Sequence, residues 1–308
     1  MVSPDLRAKY GDAAANLGTK MQGEYFATRL AERDALDQHF TKQWLDFAIT
    51  GLAARPALDI RTRMLVLIGQ YVMAKSQQLI DDTVRAALDA GVPVREILEI
   101  ILQCVVYGGH TTVDPAIHTF YAIAKEKNLL GELKASQLPL DGHDSTRKYE
   151  EEFKTWHKDD VADPRFKTLF DLHGWHAVGR GLSLRPLHHL NILEWLTKID
   201  PHFAGLWVKF CYGGMYSRFI VDDKTRLLCM VGDCLAVGEA TQARGHMRGA
   251  MRNGAKATEV MEVILQTAAN FGMPPMLHAL EVFVGVMSAE GRLDEIGNPA
   301  MKVESYAK

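Results

Sequence analysis

The 308-residue chain has few cysteines, and their spacing excludes the chemistry that paired cysteines support. The four cysteines, Cys104, Cys211, Cys229 and Cys234, form no C-x-x-C pair. This absence excludes a dithiol redox motif and the common pattern of a structural zinc site. We therefore expect any chemistry to use other side chains.

Long apolar runs and an excess of one charge are also lacking. No apolar stretch approaches the roughly 20 residues of a membrane span, and the first residues lack the apolar core of a signal peptide. Lys and Arg number 35 against 38 Asp and Glu, so global electrostatics do not favour a nucleic-acid partner. With 47% hydrophobic residues, the sequence predicts a cytoplasmic globular protein with no membrane partner.

An internal repeat organises the chain, because residues 37–120 align without a gap on residues 200–283. A gapless match of this length indicates duplication of one structural unit. We predict two domains, at 1–135 and 160–308, joined by a linker over 136–159. Identical aligned pairs include Asp59 and Asp222, Arg63 and Arg226, Glu99 and Glu262, and Gln103 and Gln266.

The predicted linker has its own composition. Leu138–Ser145 is rich in turn-forming residues, and Arg147–Glu152 is strongly charged. The first pattern is typical of a loop, and the second predicts a solvated helix.

Apolar residues recur at helical spacing in both repeats, as at Val94, Ile97 and Ile101, and strand-like alternation is nearly absent. The sequence therefore predicts an all-α protein with five or six helices in each repeat. Helix starts are expected where an aspartate precedes a proline, and helix stops at glycines that follow a polar or small residue. The expected starts are Asp114-Pro115 and Asp200-Pro201, and the expected stops are Gly91 and Gly254.

A candidate catalytic face lies on a helix predicted from about Gly238 to Asn253. Glu239, Gln242 and His246 are spaced i, i+3, i+7 and share one side of that helix. An ordinary solvent-facing helix would show a similar pattern. The aligned positions of the first repeat are Ser76, Leu79 and Thr83, which cannot exchange protons near neutral pH.

The next helix carries a second polar stripe on an otherwise apolar surface. Such a helix is buried on several sides, so its polar residues either meet a cavity or are held by buried hydrogen bonds. The stripe contains Glu259, Glu262, Gln266 and Asn270, aligned with Glu96, Glu99, Gln103 and Tyr107 in the first repeat.

The segment from His246 reads H-x-x-x-A-x-x-x-G, then E-x-x-E-x-x-x-Q from Glu259, with G-x-P at Gly272. This pattern resembles the carboxymuconolactone decarboxylase family. The family's D-x-x-T-R-x-L pattern occurs at both Asp59 and Asp222. The second repeat has Asn270 where the family usually has tyrosine. In the first repeat, Tyr107 keeps that tyrosine, whereas Thr83 replaces the histidine.

This resemblance implies two tandem helical domains and a trimer of two-domain chains. It implies a cofactor-independent lyase, a decarboxylase of a small anionic lactone or oxo acid from aromatic-compound catabolism. Relatives of the alkylhydroperoxidase AhpD type carry C-x-x-C on the histidine helix. Glu239 and Gln242 occupy those positions here, which excludes dithiol reduction of hydroperoxides at this site.

Decarboxylation requires stabilisation of a developing enolate and delivery of a proton to carbon. We predict that His246 is the general acid, that Glu262 orients it or tunes its pKa, and that Gln266 donates a hydrogen bond to the substrate. Glu239 is an alternative proton donor if burial raises its pKa. Gln242 and Asn270 are further predicted substrate contacts.

Other functions remain open at this stage. An isomerase, a hydratase or a lactone hydrolase could use the same histidine and carboxylate, and a non-catalytic binding or scaffold protein could retain the pocket alone. We predict no metal site, since four histidines of the second repeat are expected to be packing or surface side chains. These are His173, His176, His188 and His189, while His110 and His118 are candidates to line a pocket of the first repeat.

Overall fold

The computed structural model describes residues 1–140 and 164–297. These ranges contain helices and turns and no strand, which confirms the all-α prediction. None of the described helices is long and apolar enough to cross a membrane. The predicted helix at Arg147–Glu152 and most of the predicted linker lie outside the described residues.

The helices of the two halves follow the same order along the chain. In the first half they are α1 (Pro4–Tyr10), α2 (Asp12–Gln22), α3 (Tyr25–Leu36), α4 (Gln38–Trp44), α5 (Ile60–Met73), α6 (Gln77–Asp89), α7 (Val94–Gln103), α8 (Val105–Gly108), α9 (His110–Glu126) and α10 (Leu130–Ala135). In the second half they are α11 (Pro164–His173), α12 (Trp175–Leu184), α13 (Pro186–Ile199), α14 (Pro201–Val208), α15 (Asp223–Ala236), α16 (Ala240–Arg252), α17 (Ala257–Phe271) and α18 (Met273–Ala289).

A π-helical segment follows α4 and another follows α14, at aligned positions of the two halves. They span Leu45–Ala53 and Lys209–Gly214, and the second continues into a short 3-10 turn at Met215–Ser217. Short π-helical segments occur preferentially next to functional sites.

Most predicted helix ends are confirmed. Asp200 caps α14 by accepting a hydrogen bond from the Phe203 amide at 3.0 Å, and Gly91 and Gly254 have φ of +82° and +95°. The prediction at Asp114 was wrong, because α9 begins at His110 and Pro115 lies inside it. The helix starts earlier because the Gly109 carbonyl already accepts from the Thr112 and Val113 amides.

Helices α5 and α15 pack against each other at the centre of the molecule and are buried along most of their length. Each also packs on the stripe helix of its own half, α7 or α17. In addition, α17 contacts the π-helical segment of the first half, and α7 contacts the 3-10 turn of the second half. One apolar core therefore runs through both halves; the domain boundaries given above stay a prediction.

Candidate functional site

Each polar stripe is held by arginines from the other half of the chain. Glu99, on α7, accepts hydrogen bonds from Arg226 and Arg218, both at 2.8 Å. Arg226 and Glu99 have no solvent exposure. Gln103, one turn further along the stripe, accepts from Arg226 at 3.2 Å. Because a buried guanidinium must be paired, these contacts fix α7 against α15.

The stripe of the second half repeats this arrangement. Glu262, on α17, accepts hydrogen bonds from Arg55 at 2.6 Å and Arg63 at 3.3 Å. Gln266 accepts from Arg63 at 3.3 Å. The molecule therefore contains two related sites, and each combines the stripe of one half with the arginines of the other.

The first site contains a hydrogen-bonded histidine and tyrosine. The Tyr107 hydroxyl lies 3.0 Å from His246 Nε2, and the Tyr216 hydroxyl donates to the Tyr107 hydroxyl at 3.2 Å. Tyr107 continues the stripe of the first half, whereas His246 lies on α16 of the second half. The histidine and tyrosine of the family pattern, each missing from one repeat, therefore meet in a single site.

Burial controls the ionisation of this pair. Burial, together with the charge of Arg185, lowers the pKa of His246 well below its ordinary value, so the imidazole is neutral at neutral pH. Burial also raises the pKa of Tyr107 and of Tyr216, so both hydroxyls keep their protons. His246 Nδ1 has no hydrogen-bond partner among the described residues. His246 is only 1% exposed, so this unpaired nitrogen is buried.

The second site is a cavity of about 60 Å³ without a histidine. Thr83, Gln266, Asn270 and Tyr71 contribute to its lining. Asn270 accepts a hydrogen bond from the Tyr71 hydroxyl at 2.6 Å. Threonine and asparagine do not titrate near neutral pH, so Thr83 and Asn270 can contact a ligand in this cavity without transferring protons to it.

In the first site, aromatic side chains occupy the region beside His246 that corresponds to the cavity of the second site. Tyr216 aligns with Ala53, and Tyr212 aligns with Ile49, both of which line the cavity of the second site. The ring centroids of Tyr212 and Tyr216 are 5.2 Å apart, and the two residues are each 2% exposed. Because Tyr212 and Tyr216 are larger than the aligned Ile49 and Ala53, they fill the space beside His246. The cavity is therefore found beside Thr83.

A carboxyl group that forms no ion pair with a described residue lies between the two halves. Asp233, on α15, is fully buried and accepts a hydrogen bond from Gln103 at 3.2 Å. It fits because Gly69 of α5 lacks a side chain, whose Cβ would lie 2.2 Å from Asp233 Oδ1. Burial raises the pKa of Asp233 to about 8. The aligned residue of the first half, Gln70, is neutral.

The structure divides the residues that the sequence predicts as one site. Glu262 has both oxygens bonded to arginines, and Gln266 and Asn270 line the cavity on the side of Thr83. His246 is instead bonded to Tyr107. Glu239 and Gln242 are exposed at the start of α16.

Sequence reasoning missed the pairing of Tyr107 with His246 and the contributions of Tyr216 and Arg185. The signal for the pairing was present, because the two repeats lack complementary parts of one pattern. No comparable signal marks Tyr216 or Arg185, since these residues depend on how the chain packs in three dimensions.

The remaining histidines have separate surroundings. His173 Nε2 lies 2.9 Å from the Thr197 hydroxyl, and His176 Nε2 lies 3.3 Å from the Gly213 carbonyl. His189 packs against Tyr212, whereas His110 and His118 are exposed on α9. Within residues 1–140 and 164–297, no group of three metal-binding side chains comes together.

Comparison with known proteins finds a family match within the second half of the chain. Residues 201–284 match the model of the carboxymuconolactone decarboxylase family. A 4-carboxymuconolactone decarboxylase of Acinetobacter baylyi is 31% identical over 87 residues, covering 28% of this chain and 65% of that protein. An uncharacterized 15.0 kDa protein of Paracoccus denitrificans, from the nqo9-nqo10 intergenic region, is 31% identical over 106 residues, covering 34% and 78%.

Proposed function

Because the chain belongs to the carboxymuconolactone decarboxylase family, we propose that it is a cofactor-independent carbon–carbon lyase. Its substrate is a small carboxylated lactone or oxo acid of aromatic-compound catabolism. The observation that carries this proposal is the hydrogen bond between Tyr107 and His246, which assembles one acid–base pair from two halves. A protein without catalytic activity would not require both the tyrosine and the histidine.

In this reaction the substrate carboxylate leaves as carbon dioxide, and its electron pair enters the conjugated carbonyl. A proton must then be delivered to carbon. With Tyr216 donating to Tyr107 and Tyr107 donating to His246 Nε2, the proton of the neutral imidazole is on Nδ1. His246 transfers that proton to the substrate while Nε2 accepts the proton of Tyr107. Burial disfavours the resulting Tyr107 phenolate and the charge of Arg185 partly offsets this effect, so a proton from water restores the phenol to complete the cycle.

This mechanism revises the roles predicted from sequence. His246 acts as a proton relay coupled to Tyr107, because a buried neutral imidazole is a poor store of an extra proton. Glu262, Gln266 and Asn270 belong to the second site, where they position a ligand or stabilise the fold. Glu239 is exposed at the start of α16 and takes no part in the Tyr107–His246 pair.

The reaction class is tested with 4-carboxymuconolactone in D₂O, in the presence of a chelator. A decarboxylase releases one carbon dioxide per product molecule and incorporates one solvent deuterium at carbon. Deuterium incorporation without carbon dioxide would indicate an isomerase, and ring opening without carbon dioxide would indicate a hydrolase. Saturable binding without turnover would favour a binding protein and contradict the proposal.

The assembly is also open to test. Apolar side chains are exposed at aligned positions of both halves, which is typical of a repeated subunit interface. We expect a trimer, and light scattering should report about three times the chain mass of 34.4 kDa. Replacing two of these side chains with glutamate should dissociate it, whereas a monomeric wild-type protein would contradict this expectation. The exposed side chains are Leu36, Phe40 and Phe47 in the first half and Ile199, Phe203 and Phe210 in the second.

A further inference from the structure

Two grooves of similar size occupy aligned surfaces of the two halves. The groove of the first half has a volume of about 340 Å³, and that of the second half about 370 Å³. The lining of the first includes four carboxylates and two basic side chains, whereas that of the second includes four arginines and one carboxylate. Equivalent surfaces of one molecule thus carry opposite charge.

The inversion arises at individual aligned positions. Asp81 aligns with Arg244, and Asp89 aligns with Arg252, whereas an arginine is kept at positions 85 and 248. In the first groove, Arg85 is neutralised by Asp81 and Glu126 at 2.9 and 2.6 Å. Duplication alone would have produced two similar grooves, so the cationic character belongs to the second half specifically.

The arginines of the second groove are incompletely paired. Arg248 lies 3.3 Å from Glu290, whereas Arg244 and Arg252 form no ion pair with a described residue. Arg185 is only 8% exposed; its guanidinium donates to the Gln242 carbonyl at 3.5 Å, and its Nε has no hydrogen-bond partner among the described residues. A nearly buried guanidinium that lines a groove together with three further arginines is typical of an anion site.

The spacing of these side chains indicates the size of the ligand. Arg244, Arg248 and Arg252 are four residues apart on α16, so they follow one face over two turns, or about 12 Å. Gly245 leaves room beside them, because a Cβ there would lie 2.6 Å from the Arg185 guanidinium. A ligand that contacts the whole row must carry more than one anionic group.

We propose that this groove, lined by Arg185, Arg244, Arg248 and Arg252, binds a small molecule that carries two or more carboxylate or phosphate groups. Recognition is by charge-assisted hydrogen bonds from several guanidinium groups at once, which a monoanion cannot satisfy. The site is defined by these residues alone and does not depend on the proposed reaction.

The test measures binding without turnover, by calorimetric titration of the whole protein with pyrophosphate and with citrate. We expect one anion to bind per chain. Tighter binding of pyrophosphate would identify phosphate as the preferred group, and tighter binding of citrate would identify carboxylate. The double variant Arg244→Gln/Arg252→Gln should weaken binding by about tenfold for each lost guanidinium. Both side chains are exposed, so the fold should be unaffected.

Arg85→Gln is the matched control, because it removes the arginine aligned with Arg248 from the acidic groove. It should leave the affinity unchanged. The proposal is overturned if neither anion binds the wild-type protein, or if Arg85→Gln weakens binding as much as the double variant does. Absence of lyase activity would not alter either result.

Discussion

Replacing His246 with alanine is expected to lower turnover by a factor of about 10² to 10⁴, the usual effect of losing a positioned general acid or base. Tyr107→Phe should lower turnover by a similar factor, because it removes the proton that His246 Nε2 accepts in the proposed relay. Each variant should still fold, since neither residue forms an ion pair in the described structure. Steady-state rates and circular dichroism of the two variants check both points.

Thr83→Ala is the matched control, since Thr83 aligns with His246 in the other site. It should change turnover little. If Thr83→Ala or Asn270→Ala lowered turnover as His246→Ala does, the chemistry would lie in the cavity. If His246→Ala were nearly silent, the proposed relay would be wrong. His246→Gln, which fills more of the same space, separates the loss of the imidazole from any effect of an empty volume.

Replacing Asp233 with asparagine should stabilise the protein, and by an amount that grows with pH. Burial holds the pKa of this carboxyl at about 8, well above the value of an aspartate in the unfolded chain. Below about pH 4 the carboxyl is protonated in both the folded and the unfolded chain, and the free energy of unfolding is at its highest. Between about pH 4 and pH 8 only the folded chain keeps the proton, so the free energy of unfolding falls steadily as the pH rises. Each pH unit in that window is worth about 1.4 kcal/mol, so the expected gain is on the order of 4 kcal/mol at pH 7.

Urea unfolding at pH 5 and pH 8 measures this effect. The wild-type protein should lose free energy of unfolding between the two values, and Asp233→Asn should largely remove the difference. Gln70→Glu introduces a carboxyl at the aligned position and should create a new loss of stability with rising pH. Parallel pH profiles of the wild-type protein and Asp233→Asn would contradict the assigned pKa.

Local signals in the sequence predicted local structure well. Asp59 and Asp222 each accept a hydrogen bond from the amide three residues later, at 2.9 Å, as the D-x-x-T pattern requires of a helix start. Positive φ at Gly91 and Gly254 follows from the same kind of short-range pattern. The error at Asp114 arose because α9 already begins at His110, which leaves Pro115 inside the helix, where a proline removes one backbone hydrogen bond.

The sites could be predicted only in part, because periodicity shows which residues share a helix face but not which helix that face meets. The stripe through Glu262 and Gln266 is on one face, as expected. Its partners, Arg55 and Arg63, come from the other half, which no spacing within one repeat could show. The opposite charge of the two grooves is visible in the sequence when the charges of aligned residues are compared, as at Asp81 and Arg244. A search for identical residues does not show it.

Each of the two sites combines residues from both halves of the chain, and this determines which sites a single mutation can alter. In an assembly of identical single-repeat subunits, one mutation alters every site at once. Here position 246 and position 83 are encoded separately, so selection could keep the histidine in one site while the other drifted to threonine. The segment of family similarity, residues 201–284, holds His246 but not Tyr107. A gene truncated to either repeat would therefore encode two incomplete sites and no complete one.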